Sequence, residues 1–122
     1  MINFALVGCG RISKRHAELL GKNMINGAKL ISVCDIHLPK ALSVANLYNV
    51  KAYDNMDIMM QNENVDIVVV LTPSGLHSEH VINLSKYKKN IIVEKPMALN
   101  IEDANLMIDA CNKNECKLFV IL

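Results

Sequence analysis

Six short apolar runs recur along the chain, and between them apolar residues return every three or four positions. The runs are residues 2–7, 29–34, 50–53, 66–71, 90–94 and 117–122. Each has the length of a strand, and the spacing between them is that of amphipathic helices. Asp66-Ile-Val-Val-Val-Leu71 is almost wholly β-branched, which suits a strand buried on both faces of a parallel sheet. The first helix is predicted to set Ile12, His16, Leu19 and Leu20 on one face. The second opens with Pro39 at its first position, turns Ala41, Leu42, Ala45 and Leu47 inward and ends near Asn49. Asp54 or Asn55 caps a short third helix holding Ile58, Met59 and Met60. The fourth runs from about His77 to Lys88, with Val81, Ile82 and Leu84 as core candidates. Asn100 caps the fifth, whose first turn is acidic and whose Ile101, Ala104, Met107, Ile108 and Cys111 recur at helical spacing.

Strict alternation of strand and helix with short connections predicts an α/β fold. Right-handed crossovers place helices on both faces of a parallel sheet, giving three layers. Six strands fit the doubly wound order 3-2-1-4-5-6 of the Rossmann fold. The 122 residues suffice for one domain with one core, and no repeat or linker divides them.

Composition narrows the function. With 13 Lys and Arg against 12 Asp and Glu, the net charge is +1, and no basic stripe points to nucleic acid. The cluster Lys86, Lys88 and Lys89 sits at a predicted helix end, where it complements the dipole. No run approaches the roughly 20 apolar residues that span a bilayer, and the N-terminus lacks a signal-peptide pattern. The 4 cysteines, at 9, 34, 111 and 116, form no C-x-x-C pair. A reduced, cytoplasmic setting is therefore expected, and no metal site.

The candidate chemistry begins where the first strand meets the first helix. Gly8-Cys9-Gly10-Arg11-Ile12-Ser13 follows the spacing G-x-G-x-x-S, with Ser13 in place of a third glycine. Gly8 permits a sharp turn, and Gly10 lets a pyrophosphate approach the backbone. The N–H groups and dipole of the helix then face that anion. Ser13 is expected to be tolerated because only its size matters for helix packing. Arg11 follows the second glycine, where its side chain either approaches the pyrophosphate or faces solvent. Asp35 ends the second strand 22 residues after Ser13. That is the place of the acid that accepts hydrogen bonds from an adenosine ribose. No arginine follows it to offset a 2′-phosphate, so NAD is favoured over NADP. The plain alternative is that Asp35 caps the next loop. The fourth strand delivers Thr72-Pro73-Ser74-Gly75-Leu76-His77 to the same rim, and the fifth delivers Glu94-Lys95-Pro96.

These segments carry a resemblance. V-G-C-G-R-I, V-C-D, L-T-P-S-G-L-H-S-E-H and above all V-E-K-P-M-A-L look like the Gfo/Idh/MocA oxidoreductases, and the likeness covers the whole chain. The E-K-P segment is specific; the glycine motif is not. The resemblance implies the nucleotide-binding domain of a two-domain dehydrogenase, whose larger C-terminal substrate domain is absent from these 122 residues. It implies that Lys95 lies beside the nicotinamide and the reacting carbon, as the catalytic cation. It implies that Glu94 contacts the cofactor or orients Lys95, and that Thr72, Pro73 and His77 line the cofactor near the nicotinamide ribose. In relatives the peptide bond corresponding to Lys95-Pro96 is often cis. The cofactor contacts carried over are Gly8, Gly10, Arg11, Ile12, Asp35, Thr72, Pro73, His77, Glu94 and Lys95.

For His77 the alternative is capping of the fourth helix. His77 and His80, three residues apart, lack a third metal ligand, and His16 reads as structural. The subgroup most resembled oxidises a UDP-linked N-acetylaminoglucuronate at C3 for surface polysaccharide synthesis. The isolated chain is expected to bind NAD(H) without turnover, and to associate through an exposed apolar face or the free sheet edge. The rival readings are a non-catalytic NAD-binding module, in which Lys95 is dispensable, and an S-adenosylmethionine-dependent methyltransferase, in which E-K-P has no role.

Overall fold

The computed structural model describes all of residues 1–122. Six parallel strands run β1 (Ile2–Val7), β2 (Ala28–Cys34), β3 (Lys51–Tyr53), β4 (Ile67–Val70), β5 (Asn90–Val93) and β6 (Leu118–Val120). Their order is β3-β2-β1-β4-β5-β6, as the alternation predicts. Between them lie α1 (Ser13–Gly21), α2 (Leu38–Tyr48), α3 (Met56–Asn62), α4 (His77–Ser85) and α5 (Ile101–Lys113). A 3-10 turn at Ser74–Leu76 leads into α4.

The sheet divides the core in two. On one face Ala17 and Leu20 of α1 and Ala41, Val44 and Ala45 of α2 pack on Leu6, Leu30, Val33 and Val69. On the other, Met59 and Met60 of α3, Val81 and Leu84 of α4, and Met107 and Cys111 of α5 pack on Val7, Val68, Val70, Ile91 and Val93. Burying each of the valine, leucine, isoleucine and methionine side chains contributes about 1.5–3 kcal/mol. The consecutive valines of β4 alternate between the two cores, which is why the run shows no polar position.

Several helix faces differ from the periodicity-based expectation. On α2, Leu42 and Leu47 face solvent and Val44 faces the sheet. The buried stripe is Ala41, Val44 and Ala45, where small residues let the helix approach the strands. On α1 the buried positions are Ser13, Ala17 and Leu20, and Ile12 precedes the helix, half exposed. Ile58 of α3 and Ile101 and Ile108 of α5 are likewise exposed. Helix α4 ends at Ser85, short of Lys88, because Lys88 takes a left-handed backbone with φ 59°. Lys86 sits at that end with its Nζ 3.2 Å from Asp57. Asn55, not Asp54, caps α3 by accepting from the Ile58 N–H, and Asn100 caps α5 by accepting from the Asp103 N–H.

Strand β2 carries a bulge against β1. The register passes from Phe4–Leu30 to Ala5–Ser32 and skips Ile31. Ser32 is thereby fully buried, and its hydroxyl has no hydrogen-bond partner.

Candidate functional site

All strands end on one rim, and the glycine turn stands at its centre. Gly8 has φ +105°, which side-chain-bearing residues rarely adopt. A Cβ on Gly8 would also meet the Leu71 carbonyl carbon at 2.7 Å. The turn can leave β1 only because glycine passes that close to the end of β4. Gly10 differs, since a Cβ there would enter open space. The N–H groups of Gly10, Arg11 and Ile12 find no acceptor in the protein. Three free donors, an open approach and the N-terminus of α1 suit a pyrophosphate. Ser13 is fully buried, and its Oγ donates to the Gly10 carbonyl at 2.6 Å. Its role is thus more than size, because the hydroxyl also braces the turn.

Asp35 fastens this turn to the end of β2. Its Oδ2 accepts from the Cys9 N–H at 2.9 Å, and its Oδ1 accepts from the His37 N–H at 2.8 Å. The second bond is the loop cap considered above, and it coexists with a half-buried carboxylate on the cleft wall. Each oxygen keeps a lone pair for a ribose hydroxyl. Burial, reinforced by the Asp35 charge, pushes the Cys9 and Cys34 thiols up to about 12. Both therefore stay protonated near neutral pH and are poor nucleophiles.

A cleft of about 570 Å³ opens beside Asp35. Gly8, Gly10, Arg11, Ile12, Thr72 and Pro73 are among the residues that line it. Arg11 is exposed and makes no ion pair within the protein. A separate depression of about 590 Å³, lined by Lys29, Leu30, Tyr48 and Lys51, lies toward the opposite end of the strands, away from these groups.

His77 does not line the cleft. Its ring is 1% exposed, with Nδ1 2.8 Å from the Pro96 carbonyl and Nε2 2.8 Å from the Thr72 carbonyl. Nor does it cap α4, whose N-cap is Leu76. The expected side-chain contact with a cofactor and the expected cap both give way to a tie between two loops. Glu94 is 9% exposed, and its Oε2 accepts from His16 Nε2 at 3.1 Å. Lys95 is exposed beyond β5 and forms no ion pair, and the Lys95-Pro96 bond is cis.

Two histidines acquire roles that the sequence did not announce. His16 holds Glu94, a partnership across 78 positions that no local pattern encodes. His80 lines the cleft with its Nδ1 2.9 Å from Thr72 Oγ1. Desolvation lowers the His80 pKa, which favours a neutral ring. The spacing of His77 and His80 does reflect their common side of α4, and both reach Thr72, His77 at its carbonyl and His80 at its hydroxyl.

The arrangement can bind a dinucleotide. Free amides suit a pyrophosphate, a carboxylate suits a ribose, and an unpaired lysine stands further along the rim. The oxidoreductase family with an NAD-binding Rossmann fold, Gfo/Idh/MocA, matches residues 2–122. The chain belongs to this family. Among Gfo/Idh/MocA structures, the WlbA dehydrogenase of Chromobacterium violaceum, solved with NADH and UDP-GlcNAcA, superimposes with a TM-score of 0.92 at 38% identity. The match covers 98% of this chain and 34% of that one. The WlbA dehydrogenase of Bordetella pertussis, in complex with the same two ligands, gives a TM-score of 0.92 at 33% identity, over 98% and 36% of the two chains. The myo-inositol 2-dehydrogenase of Thermotoga maritima is 34% identical over 97% of this chain and 35% of its own length. The chain spans about a third of the length of the curated relatives it matches. NAD is the cofactor this Gfo/Idh/MocA domain is built to hold. No helix is long and apolar enough to cross a membrane.

Proposed function

We propose that residues 1–122 form the NAD-binding part of a dehydrogenase acting on a secondary alcohol of a sugar or nucleotide sugar. The preferred substrate is a UDP-linked N-acetylaminoglucuronate oxidised at C3, in lipopolysaccharide synthesis in the cytoplasm. The observation that carries this reading is the unpaired, exposed Lys95, which follows β5 at the same end of the parallel sheet as the glycine turn and Asp35, just outside the cleft lining. The likeness to two WlbA dehydrogenases supports the choice of substrate. A larger substrate-binding domain and a homo-oligomer complete the proposed enzyme.

The Gly10, Arg11 and Ile12 amides hold the pyrophosphate, and Asp35 holds the adenosine ribose. Thr72 and Pro73 line the approach to the nicotinamide half, and Arg11 adds positive charge at the mouth. NAD, when bound, supplies the hydride acceptor at its nicotinamide ring. Lys95 donates a hydrogen bond to the substrate hydroxyl and stabilises the negative charge that grows on that oxygen. Its cation is suited to stabilise the alkoxide, and a separate base takes the proton. By resemblance that base is a histidine of the substrate domain.

The identity of 34% with a myo-inositol 2-dehydrogenase supports a second reading, in which a free cyclitol is oxidised. The test incubates the full-length protein containing these residues with NAD and either UDP-GlcNAcA or myo-inositol. NADH absorbance should rise with the nucleotide sugar, and Lys95→Ala should lower the rate about 100-fold or more. A rise with myo-inositol alone favours the second reading. Oxidation undiminished in Lys95→Ala overturns the role of the lysine.

A further inference from the structure

The residues on either side of Lys95 are each held by a histidine from a different helix. On one side His16 of α1 donates to the Glu94 carboxylate, in a pair whose side chains are 22% and 11% exposed. On the other, the fully buried His77 of α4 reaches the Pro96 carbonyl with one ring nitrogen and the Thr72 carbonyl with the other. Carbonyl oxygens only accept, so the His77 ring is the donor side of this tie between the two loops. The Glu94 N–H is fixed as well, donating to the Val70 carbonyl at 3.1 Å. Lys95 is thus the free residue of a turn anchored at the position before it and the position after it.

The anchors connect Lys95 to the cofactor cleft. His16 lies on α1, which begins directly after the free amides of the glycine loop. Thr72, which His77 also holds, lies on the cleft wall. We infer that His16 and His77 are positioning residues that lock the Glu94-Lys95-Pro96 turn to α1 and α4 and so aim Lys95 at the reacting end of the dinucleotide. The inference rests on the reading of Lys95 given above. Neither histidine touches the dinucleotide in this scheme. His16 acts through Glu94, and His77 acts through two backbone carbonyls. Lysine has a long, flexible stem, so its aim depends on the backbone that carries it. A free turn would need to order itself each time the site assembles, at a cost in affinity.

The test titrates chain 1–122 and its variants with NADH and with ADP-ribose, which shares every group except the nicotinamide, and records a thermal melt of each. His16→Ala is expected to weaken NADH about fivefold and leave ADP-ribose within twofold, the loss of one partly buried charge-assisted hydrogen bond. His16→Gln, which keeps an N–H donor, should recover most of that loss. His77→Asn should move the NADH-to-ADP-ribose ratio about tenfold in the same direction. A merely structural role lowers both affinities together along with the melting temperature, and that result overturns the inference. Should His77→Asn fail to fold, the two His16 variants still decide it. Lys95→Ala is the control for the underlying reading. A ratio unchanged in Lys95→Ala overturns that reading and this inference with it. A ratio that moves in Lys95→Ala and stays fixed in the histidine variants overturns the inference alone.

Discussion

Asp35 accepts a hydrogen bond from the Cys9 amide at 2.9 Å, so the acid at the end of β2 and the middle of the glycine turn form one unit. The same carboxylate accepts from the His37 amide. One side chain therefore closes the turn, shapes the next loop and presents its remaining lone pairs to the cleft. In the proposed mode of binding, pyrophosphate and ribose recognition are coupled through it.

The two glycines of the turn should fail in different ways. Gly8→Ala forces a side chain into a left-handed backbone and onto the Leu71 carbonyl, with its Cβ 2.7 Å from carbon. We predict a loss of about 2–4 kcal/mol in stability, read as a lowered denaturation midpoint. Gly10→Ala meets nothing within 4 Å and should melt close to the parent. Its methyl group occupies the pyrophosphate approach, so NADH affinity should fall at least about tenfold by calorimetry. Equal losses of stability in both variants contradict this division.

Ser32 offers a gain. Its hydroxyl is fully buried without a partner, at the bulge where β2 slips against β1. Ser32→Ala removes the desolvation cost and leaves only a small void. Stability should rise by up to about 1 kcal/mol in urea unfolding. A loss greater than about 1 kcal/mol would show that the hydroxyl has a partner after all.

The strands were legible because burial on both faces leaves long apolar runs that length and punctuation alone delimit. Strand β4 needed no clue beyond Ile67 and the three valines that follow it. Helix faces were less legible. Leu42 and Leu47 are more apolar than Ala41 and Ala45, yet the smaller residues face the sheet because close approach favours them. The glycine turn and Asp35 could be found because their spacing is local. The links from His16 to Glu94 and from His77 to Pro96 could not, because they join elements 78 and 19 positions apart and exist only once the sheet has formed.

A polar cluster between α3 and the end of α4 should make stability depend on pH. Asp57 of α3 accepts from the Tyr87 hydroxyl and from Asn83 Nδ2, tying α3 to the end of α4. The Tyr87 hydrogen bond, with help from Asn83 and Lys86, holds the Asp57 carboxyl below its ordinary 3.8. A carboxyl lowered in the folded state contributes stability that is complete above its unfolded value and lost as pH falls through the folded one. Urea midpoints should therefore fall on acidification below about pH 4, and Asp57→Asn should flatten that fall while lowering stability at pH 7. An unchanged acid slope in Asp57→Asn contradicts the role given to this carboxylate.

The most direct measurement is a calorimetric titration of chain 1–122 with NADH and, separately, NADPH, repeated on Asp35→Asn. NADH should bind, NADPH should bind at least about tenfold more weakly because its 2′-phosphate meets Asp35, and Asp35→Asn should narrow the gap while weakening NADH. Equal affinity for the two dinucleotides, or NADH binding undisturbed in Asp35→Asn, would contradict the role given to Asp35.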